Sequence, residues 1–147
     1  MKKYVAGFLF SKDSSHVVLI QKLNPQWQRG LFNGVGGKIE ENESSCDAMV
    51  REFAEETGVT IAKENWTCYT QIHRPGYYDL DVYFAHSDFA FEARTIEKEQ
   101  VHIFKVNELP ANLIPNLKWL IPLALDQQAD FSNPFSLREI ATERTEA

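Results

Sequence analysis

Residues 44–57 constrain this chain more than any other segment. Cys46, Met49, Val50, Phe53 and Thr57 recur at helical spacing and make one apolar stripe. Both ends carry boundary signals. Ser44 or Ser45 can cap the first amides, Asp47 suits the positive end of the helix dipole, and Gly58 is a C-cap residue. Away from the stripe, Glu52, Glu55 and Glu56 stand at i, i+3 and i+4, so their side chains share one face. Carboxylates this close repel, and without a counter-charge some would hold protons. A hard divalent cation relieves the conflict; Mg²⁺ prefers oxygen ligands and commonly completes its shell with waters and substrate phosphates. Glutamate-rich helix faces are also ordinary solvated surface, so this pattern alone leaves both readings open.

Strand patterns flank the helix. Residues 5–10 and 17–22 read as strands around a polar turn, and residues 24–30 form a loop holding Pro25 and Trp27. Gly34, Gly36 and Gly37 then fall within four positions, a stretch that turns sharply or lets backbone approach a ligand. Residues 66–73 alternate, with Trp66, Cys68, Thr70 and Ile72 pointing one way. After a turn at 74–76, Tyr78, Leu80, Val82 and Phe84 share one face of a second alternating run. Residues 101–106 are a further strand. Leu117, Leu120, Ile121, Ala124 and Leu125 are spaced as the buried face of a second helix, with Pro122 inside it. Residues 131–147 read as a polar tail. This order predicts one domain over 1–147, of the α/β class: a mixed sheet with two main helices packed on its faces.

Composition narrows the partners. With 147 residues, 44% of them hydrophobic, the chain can bury a core without a disulfide or metal staple. A formal charge of -6 disfavours gripping polymeric nucleic acid through its phosphates. A small polyanion arriving with a divalent cation remains compatible, because the cation reverses the local sign. Cys46 and Cys68 form no CxxC pattern, which suits a reducing compartment and points to the cytoplasm. No apolar run approaches the roughly 20 residues of a membrane span, and the basic start lacks the apolar segment of a secretory signal. No membrane partner is expected, and monomer and homodimer are both left open.

The run Gly37-x5-Glu43-x7-Arg51-Glu52-Phe53-x-Glu55-Glu56-x-Gly58-Val59 resembles the Nudix box, the signature of the Nudix hydrolases. All seven fixed positions match with their spacing; by chance this is on the order of one in a million. Phe53 stands where a smaller aliphatic is more usual, which touches packing more than chemistry. The resemblance implies an α/β/α sandwich that hydrolyses a nucleoside diphosphate linked to another group. It implies that Glu52, Glu55 and Glu56 hold Mg²⁺ or Mn²⁺, joined by the carbonyl of Gly37, and that Arg51 orients a glutamate. Glu43 belongs to the same catalytic set, and Glu55 is either a ligand or the base. A further acid is expected from a distant loop, where Glu97 and Glu99 lie; Glu99 is the preferred metal ligand.

Residues 32–38, Phe32-Asn33-Gly34-Val35-Gly36-Gly37-Lys38, are similar to the segment before the box in MutT-type enzymes, which cleave oxidised purine nucleoside triphosphates such as 8-oxo-dGTP. That likeness implies that Asn33 reads a base edge with an amide that both donates and accepts; Asn33-Gly34 is equally a turn dipeptide. Lys38 is expected to face the phosphates. Asn116 is a second base reader or an N-cap. Tyr69, Tyr77 and Tyr83 would form an aromatic wall, or serve as structural amphipaths. The leading expectation is Mg²⁺-dependent hydrolysis of a nucleoside triphosphate to monophosphate and pyrophosphate. The alternatives are the same chemistry on ADP-ribose, a dinucleotide or an RNA cap, and a non-catalytic nucleotide-sensing module.

Overall fold

The computed structural model describes residues 2–140. The chain runs β1 (Lys2–Phe10), β2 (His16–Gln21), β3 (Phe32–Asn33), β4 (Val35–Lys38), α1 (Ser45–Thr57), β5 (Thr67–Arg74), β6 (Tyr78–His86), β7 (Gln100–Lys105), α2 (Leu117–Ala124) and β8 (Phe135–Arg138). The strands form one mixed eight-stranded sheet. On one edge, β1 pairs in parallel with β6 from Lys2 opposite Tyr78 to Phe10 opposite His86. Its other edge is divided: Leu9 and Phe10 pair antiparallel with β2, while Tyr4, Val5, Ala6 and Gly7 pair antiparallel with β4. The division places the glycine-rich strand beside the centre of the sheet. It depends on Gly36, where any Cβ would overlap the backbone of Val5 and Ala6.

Both faces of the sheet are covered. Val5, Leu9, Val18, Ile20 and Trp66 pack with Met49 and Phe53 of α1 on one face. Phe8, Phe10, Val17, Leu19, Tyr69 and Ile72 pack with Leu117, Leu120 and Ile121 of α2 on the other. Strands buried on both sides read as unbroken apolar runs, and residues 17–20 are such a run, each at most 1% exposed. This is the α/β/α layering expected from the sequence.

Helix α1 has the boundaries its caps predict. Ser44 Oγ accepts from the Asp47 amide at 3.1 Å, and Gly58 closes the helix in the left-handed region at φ 77°. Helix α2 is shorter. Pro122 cannot donate to the carbonyl one turn back, and the helix ends two residues later.

Two local expectations are corrected. A β-bulge between Cys68 and Thr70 breaks the alternation of β5, so Trp66 and Cys68 face α1 whereas Ile72 faces α2. Within the stretch read as a polar tail, Phe135–Arg138 forms β8, an edge strand parallel to β5. Residues 141–147 of that tail lie outside the described residues. Among the described residues, no helix is long and apolar enough to cross a membrane.

Candidate active site

Arg51 is the hub of the acidic face. Its Nε and Nη2 donate to Glu43 Oε2 and Oε1 at 2.7 and 2.9 Å. Its Nη1 reaches Glu52 Oε2 at 3.0 Å and Glu55 Oε1 at 3.3 Å, and Nη2 also donates to the Lys38 carbonyl at 3.1 Å. One guanidinium therefore joins the loop before α1, the end of β4 and two carboxylates of α1. These bonds hold the Glu43 carboxyl below its ordinary range. Both Glu43 oxygens are taken, Oε1 by Arg51 and the Glu40 amide and Oε2 by Arg51.

Glu52 lies against Gly37. A Cβ at position 37 would overlap the Glu52 carboxylate, so glycine there makes a cradle for that carboxylate beside the backbone of β4. Burial raises the proton affinity of Glu52, an effect that Arg51 partly offsets. Glu56 is pushed up to about 7, by burial first and then by the charges of Glu97, Glu99 and Glu52. Placing a positive charge among these groups would return them to their ionised forms.

On the other side of Gly36 and Gly37 lies a cavity of about 530 Å³. Tyr4, Ala6 and Phe8 from β1 and Tyr78, Leu80 and Val82 from β6 line its floor. Its rim carries Lys22, Asn24, Pro25, Trp27 and Gln28 from the loop after β2, and Asn33, Ile114, Asn116 and Leu120 line it as well. Cavity and acidic face thus meet at Gly37.

The side chains expected from the sequence to bind substrate, Asn33 and Asn116 at the base and Lys38 at the phosphates, divide into those that reach the cavity and one that does not. Asn33 reaches the cavity, where its Oδ1 accepts from the Gly34 amide at 2.7 Å and its Nδ2 donates to Gln28 Oε1 at 3.2 Å. Asn116 reaches it too; its side chain makes no cap bond, and its buried Oδ1 has no partner among the described residues. Lys38 does not line the cavity: it sits at the end of β4 opposite Tyr4, with its side chain exposed. Lys22 is the lysine that lines it.

Tyr83 is likewise corrected. It is 5% exposed and packs on the α1 side of the sheet, its hydroxyl 2.7 Å from Ser45 Oγ. Its neighbours Tyr78, Leu80 and Val82 face the cavity, so strand alternation turns Tyr83 away. The aromatic wall also loses Tyr69, whose hydroxyl donates to the Leu120 carbonyl, and Tyr77, which lies exposed under the Arg74 guanidinium. Tyr4 and Tyr78, in edge-to-face contact at 6.4 Å, occupy the wall instead. Glu99 is bound to Lys22 and to the start of the following loop.

The NUDIX domain family model matches residues 1–125. The chain belongs to the Nudix family. The oxidized purine nucleoside triphosphate hydrolase of Mus musculus is 29% identical over 126 residues, spanning 76% of this chain and 80% of that protein. A solved MutT/nudix family protein from Enterococcus faecalis is 26% identical, with a TM-score of 0.59 over 71% of this chain; this chain spans 43% of that protein's length. The MutT protein from Bacillus halodurans shares the fold, with a TM-score of 0.68 at 20% identity, over 96% of this chain and 92% of that one. This is a Nudix hydrolase with MutT-like relatives.

Nudix hydrolases act on small nucleotide substrates and use divalent metal ions. The donors of this Nudix chain suit such an ion: hard carboxylate oxygens, a glycine cradle holding one of them, and proton affinities raised by burial first and then by neighbouring acidic charge. Among the described residues, no three acidic, histidine or cysteine side chains already converge on one point. Glu52 and Glu55 instead meet at Nη1 of Arg51.

Proposed function

We propose that this protein hydrolyses a nucleoside triphosphate to the monophosphate and pyrophosphate, with Mg²⁺ as cofactor and Mn²⁺ as a substitute, and that an oxidised purine such as 8-oxo-dGTP is the favoured base. The observation that carries this reading is the junction of two sites at Gly37, an amide-lined apolar cavity on one side and the acidic face of α1 on the other. A purine has apolar faces and a polar edge. Phe8, Leu80 and Val82 suit the faces, and the amides of Gln28, Asn33 and Asn116 suit the edge. The buried, unpartnered Oδ1 of Asn116 calls for a donor, and an oxidised purine edge supplies N–H groups. The name of the murine relative points the same way.

On this reading Glu52, Glu55 and Glu56, with the Gly37 carbonyl, would hold the ion. The chemistry it supplies when bound is neutralisation of phosphate charge and activation of water for attack on phosphorus. Arg51 orients Glu52 and Glu55, and Glu43 fixes Arg51. Lys22 stands at the cavity rim, where a triphosphate passes toward α1. Residues 1–147 act as one domain, and two free cysteines suit a cytoplasmic setting.

A substrate panel with Mg²⁺ tests the assignment. Hydrolysis of 8-oxo-dGTP should exceed that of dGTP, ADP-ribose, a dinucleotide and capped RNA in kcat/KM. A flat response to 8-oxo-dGTP beside strong turnover of ADP-ribose would overturn the choice of substrate. Tight nucleotide binding with no turnover at all would overturn catalysis.

A further inference from the structure

We propose that Glu99 is a positioning residue, which fastens the exposed loop at the rim of the nucleotide cavity to the body of the enzyme. Its Oε1 lies 3.1 Å from Lys22 Nζ, and its Oε2 accepts from the Leu23 amide at 2.6 Å and, at longer range, from the Asn24 amide at 3.4 Å. One carboxylate thereby holds both the charge and the backbone of the first limb of the loop that follows β2. Its side chain is only 15% exposed, so water competes weakly for these charge-assisted bonds.

The loop needs such an anchor. It supplies Lys22, Asn24, Pro25, Trp27 and Gln28 to the cavity, yet its short helical turn at Gln26–Gln28 buries no residue and has no side-chain cap. Trp27 is 61% exposed at its tip. The second limb pairs with Lys22 through the Gly30 amide and the Leu31 carbonyl, and Gln21 Nε2 and Asn112 Nδ2 both donate to the Gly30 carbonyl. Beyond Lys22, at Leu23 and Asn24, Glu99 is the side chain that holds the first limb among the described residues. A substrate gripped by this loop is held at a set distance from the reacting centre, and a small error in that distance weakens productive binding. The oxygens expected from the sequence to ligate metal are, on this account, occupied in holding the loop.

The kinetic part of this proposal rests on the nucleotide reading above; the structural part does not. The experiment compares wild type with Glu99→Ala and Glu99→Gln by hydrogen exchange at the Leu23 and Asn24 amides, by KM and kcat for 8-oxo-dGTP, and by titration of activity with Mg²⁺. In Glu99→Ala, exchange at Leu23 should quicken and KM should rise about tenfold, the scale of one lost charge-assisted bond. The kcat and the half-saturating Mg²⁺ concentration should stay near wild type. Glu99→Gln keeps an acceptor for the Leu23 amide and should recover most of the KM. Unchanged exchange at Leu23 in Glu99→Ala would overturn the proposal. So would a fall in kcat in both variants with a higher Mg²⁺ requirement, which marks a metal ligand. If exchange quickens as expected while wild type turns over no nucleotide, the anchor stands and the nucleotide reading fails.

Discussion

Arg51 grips Glu43 with two parallel bonds, Nε to Oε2 at 2.7 Å and Nη2 to Oε1 at 2.9 Å. The fork ties α1 to the loop before it and leaves Nη1 for Glu52 and Glu55. A lysine keeps the charge but loses the planar fork. Arg51→Lys should therefore lower kcat by about tenfold or more. The pair is partly exposed, so its removal should cost only about 1 kcal/mol of stability. Steady-state kinetics beside thermal melts check both halves; a wild-type kcat would show that the fork does not set the geometry.

Gly36 and Gly37 are neighbours with opposite reasons to be glycine. A Cβ at Gly36 meets the backbone of Val5 and Ala6, which cannot yield without parting β4 from β1. A Cβ at Gly37 meets the carboxylate of Glu52, the far end of a flexible side chain. Gly36→Ala should destabilise by about 3 kcal/mol or more. Gly37→Ala should melt within a few degrees of wild type yet lose about tenfold or more in kcat, because Glu52 leaves its cradle. Melting curves and turnover for the pair separate these effects. A fully active Gly37→Ala would remove the cradle from the account.

The β1–β2 turn offers a pH test remote from the active site. Asp13 Oδ1 accepts from Ser15 Oγ at 2.6 Å, from the Ser15 amide at 3.0 Å and from Ser11 Oγ at 2.9 Å, and these bonds lower its pKa to about 2. The unfolded chain takes up this proton near 3.8, before the folded one does. Stability from Asp13 is thus complete above about pH 4 and drains away as pH falls toward 2. The melting-temperature gap between wild type and Asp13→Asn should narrow over that window. A gap that holds constant or widens on acidification would contradict the assignment.

How far the sequence could be read follows from how local each signal is. Helix α1 was legible because its determinants lie within one segment: Ser44 and Gly58 at the ends, the Met49–Phe53–Thr57 stripe, and three glutamates on another face. The cavity was not. Phe8, Leu80 and Val82 are ordinary core residues until strand register sets them under the Trp27 loop. Lys22 and Lys38 look alike in sequence, and only the pairing of Lys38 with Tyr4 at the end of β4 separates them. Tyr83 is different. The parity that puts Leu80 and Val82 on one face already turns it to the other, so its misplacement was avoidable. The bulge after Cys68 has no glycine or proline to announce it, and β8 hides in polar sequence because an edge strand faces water.

The account stands on the acidic face being the reacting centre, and turnover of Glu56→Gln measures that most directly. The variant removes one charge and little volume from a side chain that makes no hydrogen bond among the described residues, so circular dichroism and the melting curve should match wild type. At saturating Mg²⁺, its kcat for 8-oxo-dGTP should fall by about a thousandfold. A folded Glu56→Gln protein that turns over at near the wild-type rate would contradict the account.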